Sequence, residues 1–262
     1  MLHIAIESAI EAGKFLKQHL GKIKSVERKS GQERNLVTNI DKQAEQMIAQ
    51  KIQQHFPLHN ILAEEGTKGN EHSEFCWIID PLDGTTNYTH GFPVFSVSIG
   101  VEKNGEIIYG VVYDPNRDEL FVAEKDAGAK LNGKKISVST ADSLIHSLLV
   151  TGFPYNITEN PMNCVQHFQN FLFEAQAVRR LGSAALDLCY VASGRFDGFW
   201  EVALNPWDMA AGVLLIEEAG GICTDFHGKK HSVHKKEILA SNGIIHHEML
   251  NVLNKAIQAQ QM

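Results

Sequence analysis

The sequence predicts a protein of the α+β or α/β class, with an antiparallel sheet in its N-terminal half and a mixed or parallel sheet in its C-terminal half. Three observations lead there. Two amphipathic helical stretches open the chain, strand-like runs joined by short turns follow, and after about Ser139 strand-like and helical runs alternate. The 262 residues allow one large domain or two modest ones with an ample core. The pattern changes near residue 142 without a flexible linker. It divides the chain into an N-terminal α+β half, 1–142, and a tightly packed C-terminal α/β half, 143–262.

The first helix is written in Leu2, Ala5, Ile6, Ala9, Ile10, Leu16 and Leu20, which recur at helical spacing, with Gly21 as its stop. A polar connector, 27–34, leads to a second helix that puts Ile40, Ala44, Met47, Ile48 and Ile52 on one face and stops at Pro57. Thr38 with Asp41 three residues later fits a cap at its start. The short apolar run Asn60–Ala63 ends in Glu64-Glu65-Gly66, and Trp77-Ile78-Ile79 reads as a buried strand that ends at Asp80. Runs 94–102 and 107–113 flank Asn104-Gly105, the strongest hairpin signal in the chain. Runs 120–124 and 129–138 extend the sheet, the latter turning at Asn132-Gly133. In the second half, strand-like Leu148–Thr151, Gly198–Val202, 222–225 and 238–241 alternate with helical 162–175, 183–192, 208–219 and 247–259. Gly194 and Gly220 stand where helix C-caps belong.

Composition excludes several function classes. A formal charge of −7 argues against a dedicated nucleic-acid binder. The basic pairs Lys134-Lys135, Arg179-Arg180, Lys229-Lys230 and Lys235-Lys236 are short and dispersed, as solvated surface is. Cys76, Cys164, Cys189 and Cys223 form no CxxC and read as free thiols of a reducing compartment. Glu7, Glu11, Lys14 and Lys17 interrupt the opening stretch, so it is no signal peptide, and no run reaches the length of a membrane span. A cytoplasmic protein is expected. His227, His231 and His234 lie in a polar, lysine-rich loop and are expected to be solvated. There is no G-x-S-x-G elbow, Walker A loop or G-x-G-x-x-G fingerprint.

Chemistry concentrates in WIIDPLDGTTNYTHGFP, 77–93. Asp80 and Asp83 follow an apolar strand, with Pro81 and Gly84 bending the chain around them. Carboxylates at that spacing repel one another, and a cation between them resolves the repulsion. Gly84-Thr85-Thr86 adds backbone amides and hydroxyls suited to phosphate oxygens and to holding a water. Glu64 and Glu65, Asp41, and Asp208 after Trp207 are further acidic residues at element ends. Singly they read as surface or capping residues; together they suit a polynuclear hard-metal site, and oxygen ligands without Cys or His favour Mg²⁺ over zinc.

Residues 77–87, Pro206-Trp207-Asp208-Met209-Ala210-Ala211-Gly212, and Glu217, Ala219, Gly220 and Gly221 together resemble the inositol monophosphatase family over nearly the whole chain. Leu36-Val37-Thr38 and Ala63-Glu64-Glu65 also resemble its pattern, and 179–187 is most similar to its bacterial branch. The resemblance implies a layered αβαβα fold, dependence on two or three Mg²⁺ ions, inhibition by lithium, and a homodimer. It implies metal ligation by Glu64, Asp80, the Leu82 carbonyl, Asp83 and Asp208, with Glu64, Thr85 and Asp41 catalytic and Thr85 with Asp41 orienting the attacking water. Gly84 and Thr85 would hold the phosphate; Glu201 and Asp208 would meet the substrate, with Ala184 lining that pocket. Loop 29–35, expected to carry a third metal contact, departs from the animal enzymes in length and composition. The implied reaction is hydrolysis of a small phosphorylated polyol, inositol monophosphate, by in-line attack of a metal-activated water without a phosphoenzyme. Fructose 1,6-bisphosphate or a 3′-phosphoadenosine nucleotide are the alternative substrates. A transcription-machinery association is the alternative role, with Arg179-Arg180 and loop 229–236 as its candidate surfaces.

Overall fold

The computed structural model describes residues 1–22, 26–28 and 36–258; the expected third metal contact in loop 29–35, and Ala259 at the end of the last helix, lie outside them. Helix α1 (Leu2–His19) ends with Gly21 at φ +74°. Strands β1 (Val26–Arg28) and β2 (Leu36–Thr38) form a small antiparallel ribbon, so part of the polar connector is extended and paired. Helix α2 (Asn39–His55) opens with the expected capping box of Thr38 and Asp41. Next come β3 (Asn60–Ala63), β4 (Phe75–Asp83), α3 (Thr85–Thr89), β5 (Ser96–Lys103), β6 (Glu106–Asp114), β7 (Glu119–Glu124), β8 (Gly128–Leu131) and β9 (Lys134–Lys135). The second half runs β10 (Leu148–Thr151), α4 (Cys164–Glu174), β11 (Ala177–Arg179), α5 (Ala184–Ala192), β12 (Gly198–Val202), α6 (Pro206–Glu218), β13 (Ile222–Thr224), β14 (Glu237–Ser241) and α7 (His246–Gln258).

Strands β3 to β9 form one seven-stranded sheet in sequence order, parallel only at β3–β4. Its β5–β6 hairpin turns through Asn104 and Gly105, both at positive φ, as their sequence demands. The second sheet has the order β11-β10-β12-β14-β13. Its first three strands are parallel, and β14 runs antiparallel to β12 and β13, so the sheet is mixed.

Side-chain alternation along these strands builds the layers. On β4, Ile79 faces α1 and α2, where it joins Ile4, Leu16, Ile48 and Ile52. Its neighbour Ile78 faces the opposite way, onto Leu188 of α5 and Leu214 of α6. In the second sheet Val150, Phe199 and Ile238 meet the same α5–α6 layer, while Leu149, Trp200 and Leu239 face α4 and α7 through Phe171, Met249 and Leu253. The order is therefore helix pair, sheet, helix pair, sheet, helix pair, the expected αβαβα arrangement. Helices α5 and α6 lie between two sheets, which explains why they are apolar all round instead of amphipathic. Close approach is built in: a Cβ on Gly110 of β6 would stand 2.7 Å from the Ala211 carbonyl oxygen of α6.

Candidate active site

Strand β4 does not end at Asp80; it runs on to Asp83, and that changes how the carboxylates are placed. Asp80 pairs with Ser98 and Asp83 with Ser96, so β4 carries one more residue than β5 over the same span. This is a bulge, and it re-aims side chains. Pro81 has no N–H to donate and fits there. The Leu82 N–H donates to Asp80 Oδ1 at 2.9 Å, and the Thr85 hydroxyl donates to the Leu82 carbonyl at 3.1 Å. Gly84 then takes φ +98° and starts α3, bringing Thr85 and Thr86 to the same cavity wall.

Glu64 reaches Asp80 because β3 lies parallel to β4, with Ala63 opposite Ile79. The Glu64 N–H donates to the Ile79 carbonyl at 3.2 Å, and its side chain hydrogen-bonds Asp80. The loop after Glu64 is tied down by Glu45 of α2, which accepts from the N–H of Glu65 (2.7 Å) and from the N–H (2.9 Å) and hydroxyl (2.6 Å) of Thr67. Asp41 sits in the α2 cap, 1% exposed, where its carboxylate accepts from the Thr38 hydroxyl at 2.5 Å. No hydrogen bond joins Asp41 to Thr85 among the described residues, and Asp41 is not among the residues that line the cavity.

From the second half, α6 contributes Asp208 at its third position; Asp208 Oδ2 accepts from the Asn205 N–H at 2.7 Å in a capping box. The Ser98 hydroxyl donates to the Trp207 carbonyl at 3.3 Å, tying this helix start to the strand beside Asp80. Asp83 is engaged by α5: its Oδ2 accepts from the Ser183 hydroxyl at 2.5 Å and from the Ala185 N–H at 2.8 Å. Glu201 comes from β12, and Ala184 and Asp187 come from the first turn of α5. All but Asp41 of the expected site residues line one cavity of about 700 Å³, together with Arg180, Lys236 and the loop after β10.

The electrostatics are one-sided. Burial, then Glu64 and the other carboxylates, hold Asp80 and Asp208 well above the ordinary carboxylate range. Burial also raises Asp83 to about 6, against the hydrogen bonds from Ser183 and Ala185 that pull it down. Glu201 is pushed up to about 8 by burial and Asp208, and Asp41 to about 7 by burial despite the Thr38 bonds. Arg180 and Lys236 are the basic residues on a wall that carries Glu64, Asp80, Asp83, Asp187, Glu201 and Asp208. A hard cation fits this donor set, since it offsets the mutual repulsion. Among the described residues no group of three His, Cys, Asp or Glu side chains is drawn together tightly enough to form a closed metal cage.

Three residues escaped the sequence reading. Ser183 opens the expected helical run 183–192, and only the packing of the halves reveals Asp83 as its partner. Asp187 is 1% exposed with Oδ1 unpartnered, on a helix whose apolar run hid it. Glu45 had a visible signal, four residues after Asp41 on the buried face of α2. One expectation is corrected: His231 is only 8% exposed, its ring nitrogens lack partners, and burial lowers its pKa to about 4. His227 and His234 are exposed as expected.

Comparison with known proteins points to one family. Residues 1–261 match the profile of the inositol monophosphatase family. An inositol-1-monophosphatase of Synechocystis is 46% identical over 253 residues, 96% of this chain and 88% of that one. The Nus factor SuhB of Escherichia coli is 43% identical over 243 residues, 92% of this chain and 91% of that one. The crystal structure of extragenic suppressor protein suhB from Bartonella henselae superposes with a TM-score of 0.91 at 38% identity, covering 97% of this chain and 98% of that one. With the same layers and a phosphatase-type acidic site at their junction, this chain belongs to the inositol monophosphatase family.

Proposed function

We propose that this protein hydrolyses inositol monophosphate to inositol and phosphate with the help of two or three Mg²⁺ ions. The observation that carries the reading is the convergence of Glu64, Asp80, Asp83 and Asp208 on one cavity with Gly84 and Thr85 beside them. Glu64, Asp80, the Leu82 carbonyl, Asp83 and Asp208 would hold the metal. When bound, Mg²⁺ supplies Lewis-acid charge for the phosphoryl oxygens and lowers the pKa of water. The first-turn amides of α3 have no partner within the helix, and those of Gly84 and Thr85 would take the phosphate oxygens. Thr85 with Asp41 would orient the attacking water, and Glu64 would act beside them as the third catalytic residue. Glu201, with Ala184 beside it, would receive the polyol hydroxyls. No side chain is asked to be a nucleophile, so phosphate leaves without a phosphoenzyme.

Lithium sensitivity and a homodimer belong to the same reading and rest on family membership. A cytoplasmic location is supported by the four unpaired thiols. No helix among the described residues is long and apolar enough to cross a membrane. The test is phosphate release by purified protein from inositol monophosphate, fructose 1,6-bisphosphate and a 3′-phosphoadenosine nucleotide, each with Mg²⁺, with Mg²⁺ plus Li⁺, and with EDTA. The inositol ester should turn over best, EDTA should abolish release, and Asp83→Asn should lose about 10³-fold in kcat/KM while staying folded. Better turnover of the nucleotide, or near-normal Asp83→Asn, would overturn the reading.

A second reading, association with the transcription machinery, is favoured by the Nus factor name of the Escherichia coli relative. If the Asp83→Asn protein complemented a deletion strain, that role would be the principal one.

A further inference from the structure

We propose that Ser183 is a positioning residue that aims the Asp83 carboxylate and locks the metal side of the site to the polyol side. This rests on the reading of Asp83 as a metal ligand. Ser183 is 1% exposed and Asp83 8%. The serine has one hydroxyl proton, and it goes to Asp83 Oδ2 at 2.5 Å across a separation of 100 residues in sequence. The same hydroxyl accepts from the Leu186 N–H at 3.4 Å, so it both caps α5 and donates to the carboxylate. The Ala185 N–H reaches the same oxygen at 2.8 Å. Two donors on one oxygen fix the rotation of the carboxylate, and with it the direction of Oδ1. Charge-assisted bonds of this length are the strong kind, and the shorter of the serine's two contacts is the one to Asp83.

Backbone packing around this pair holds it in place. Asn87 Nδ2 donates to the Leu181 carbonyl and to the Val94 carbonyl, each at 2.8 Å. Gly84 and Gly182 both have positive φ, and a Cβ on Gly84 would stand 3.3 Å from the Gly182 oxygen and 2.9 Å from that of Val94. Segment 181–185 is thus strapped onto segment 83–87 at Leu181, Ser183 and Ala185. Ala184 and Asp187, on the same helix start, line the cavity. A shift of Asp83 therefore moves the groups that face the substrate, and Ser183 is the hinge pin of that contact.

The test measures Mn²⁺ binding to substrate-free protein by the electron paramagnetic resonance signal of free Mn²⁺, alongside the Mg²⁺ midpoint of phosphate release. Ser183→Ala and the near-isosteric Ser183→Cys should each weaken Mn²⁺ binding about 10–100-fold, the range seen when a hydrogen-bond partner of a metal ligand is lost. Their Mg²⁺ midpoints should rise in step. Ser183→Thr, which keeps the donor, should return both to within about threefold of the parent protein. If Ser183→Ala does not fold, Ser183→Cys carries the test. A lower melting temperature with unchanged Mn²⁺ binding would make Ser183 a helix cap only and overturn the proposal. Asp83→Asn, titrated in parallel, separates the two readings. If it loses Mn²⁺ while Ser183→Ala and Ser183→Cys do not, the positioning role fails and the metal reading stands. If Asp83→Asn binds Mn²⁺ normally, both fail.

Discussion

The two halves furnish the cavity in different ways. The N-terminal half delivers Asp80, Leu82, Asp83, Gly84 and Thr85 from one bulged strand end, and adds Glu64 from the parallel neighbour strand. The C-terminal half delivers Ser183, Ala184 and Asp187 from one helix start, Glu201 from a strand, and Asp208 from another helix start. A single stiff strand end, paired on both sides, suits the reacting phosphate, whose geometry is the same in every phosphomonoester. Separate segments suit the leaving alcohol, which differs from ester to ester. The difference suggests a division of labour in which changes on the first half affect all esters alike and changes on the second half discriminate among them.

The largest effect that would sharpen this division is at Glu201. With Mg²⁺ bound, whose charge favours the ionised carboxylate, Glu201→Gln should lose about 10–100-fold in kcat/KM on the inositol ester, the worth of a hydrogen bond to a charged group. Turnover of p-nitrophenyl phosphate, which has no polyol, should stay within about threefold. Equal losses on both esters would break the comparison.

A smaller effect, on stability, follows from the raised carboxylates of both halves. Asp83 at about 6, Asp41 at about 7 and Glu201 at about 8 hold protons in the folded chain that an unfolded chain, with carboxyls near 4, has released. Their stabilising contribution is complete below the unfolded value and is lost as pH rises through 6 to 8. In EDTA the melting temperature should therefore fall by about 5 °C or more between pH 5.5 and pH 8. Added Mg²⁺ should raise it more at pH 8 than at pH 5.5, because binding competes with those protons. A flat or rising profile in EDTA, followed by differential scanning fluorimetry, would contradict the assignment.

The same asymmetry governs what the sequence reveals. The first half writes its site contiguously, so Asp80, Asp83 and Thr85 are legible as a unit, and the Thr38 cap and the Asn104-Gly105 hairpin are local chemistry. The extension of β4 beyond Asp80 is not legible, because a bulge depends on how the neighbour strand pairs. Ser183 and Asp187 are hidden for the opposite reason: α5 is apolar all round and its register against β4 is a tertiary fact. His231 misleads because a polar loop sequence does not disclose which of its side chains the fold buries. The second sheet is mixed, one of the two arrangements expected, and what the alternation of helices and strands leaves open is which strand reverses: it is β14, antiparallel to both β12 and β13.

The central claim is that a metal binds where the two halves meet, and anomalous diffraction from crystals soaked in Mn²⁺ tests it most directly. Anomalous peaks are expected within coordination distance of Asp80, Asp83 and Asp208, with one shared between Asp83 of the first half and Asp208 of the second. Peaks confined to one half, or none at saturating Mn²⁺, would contradict it.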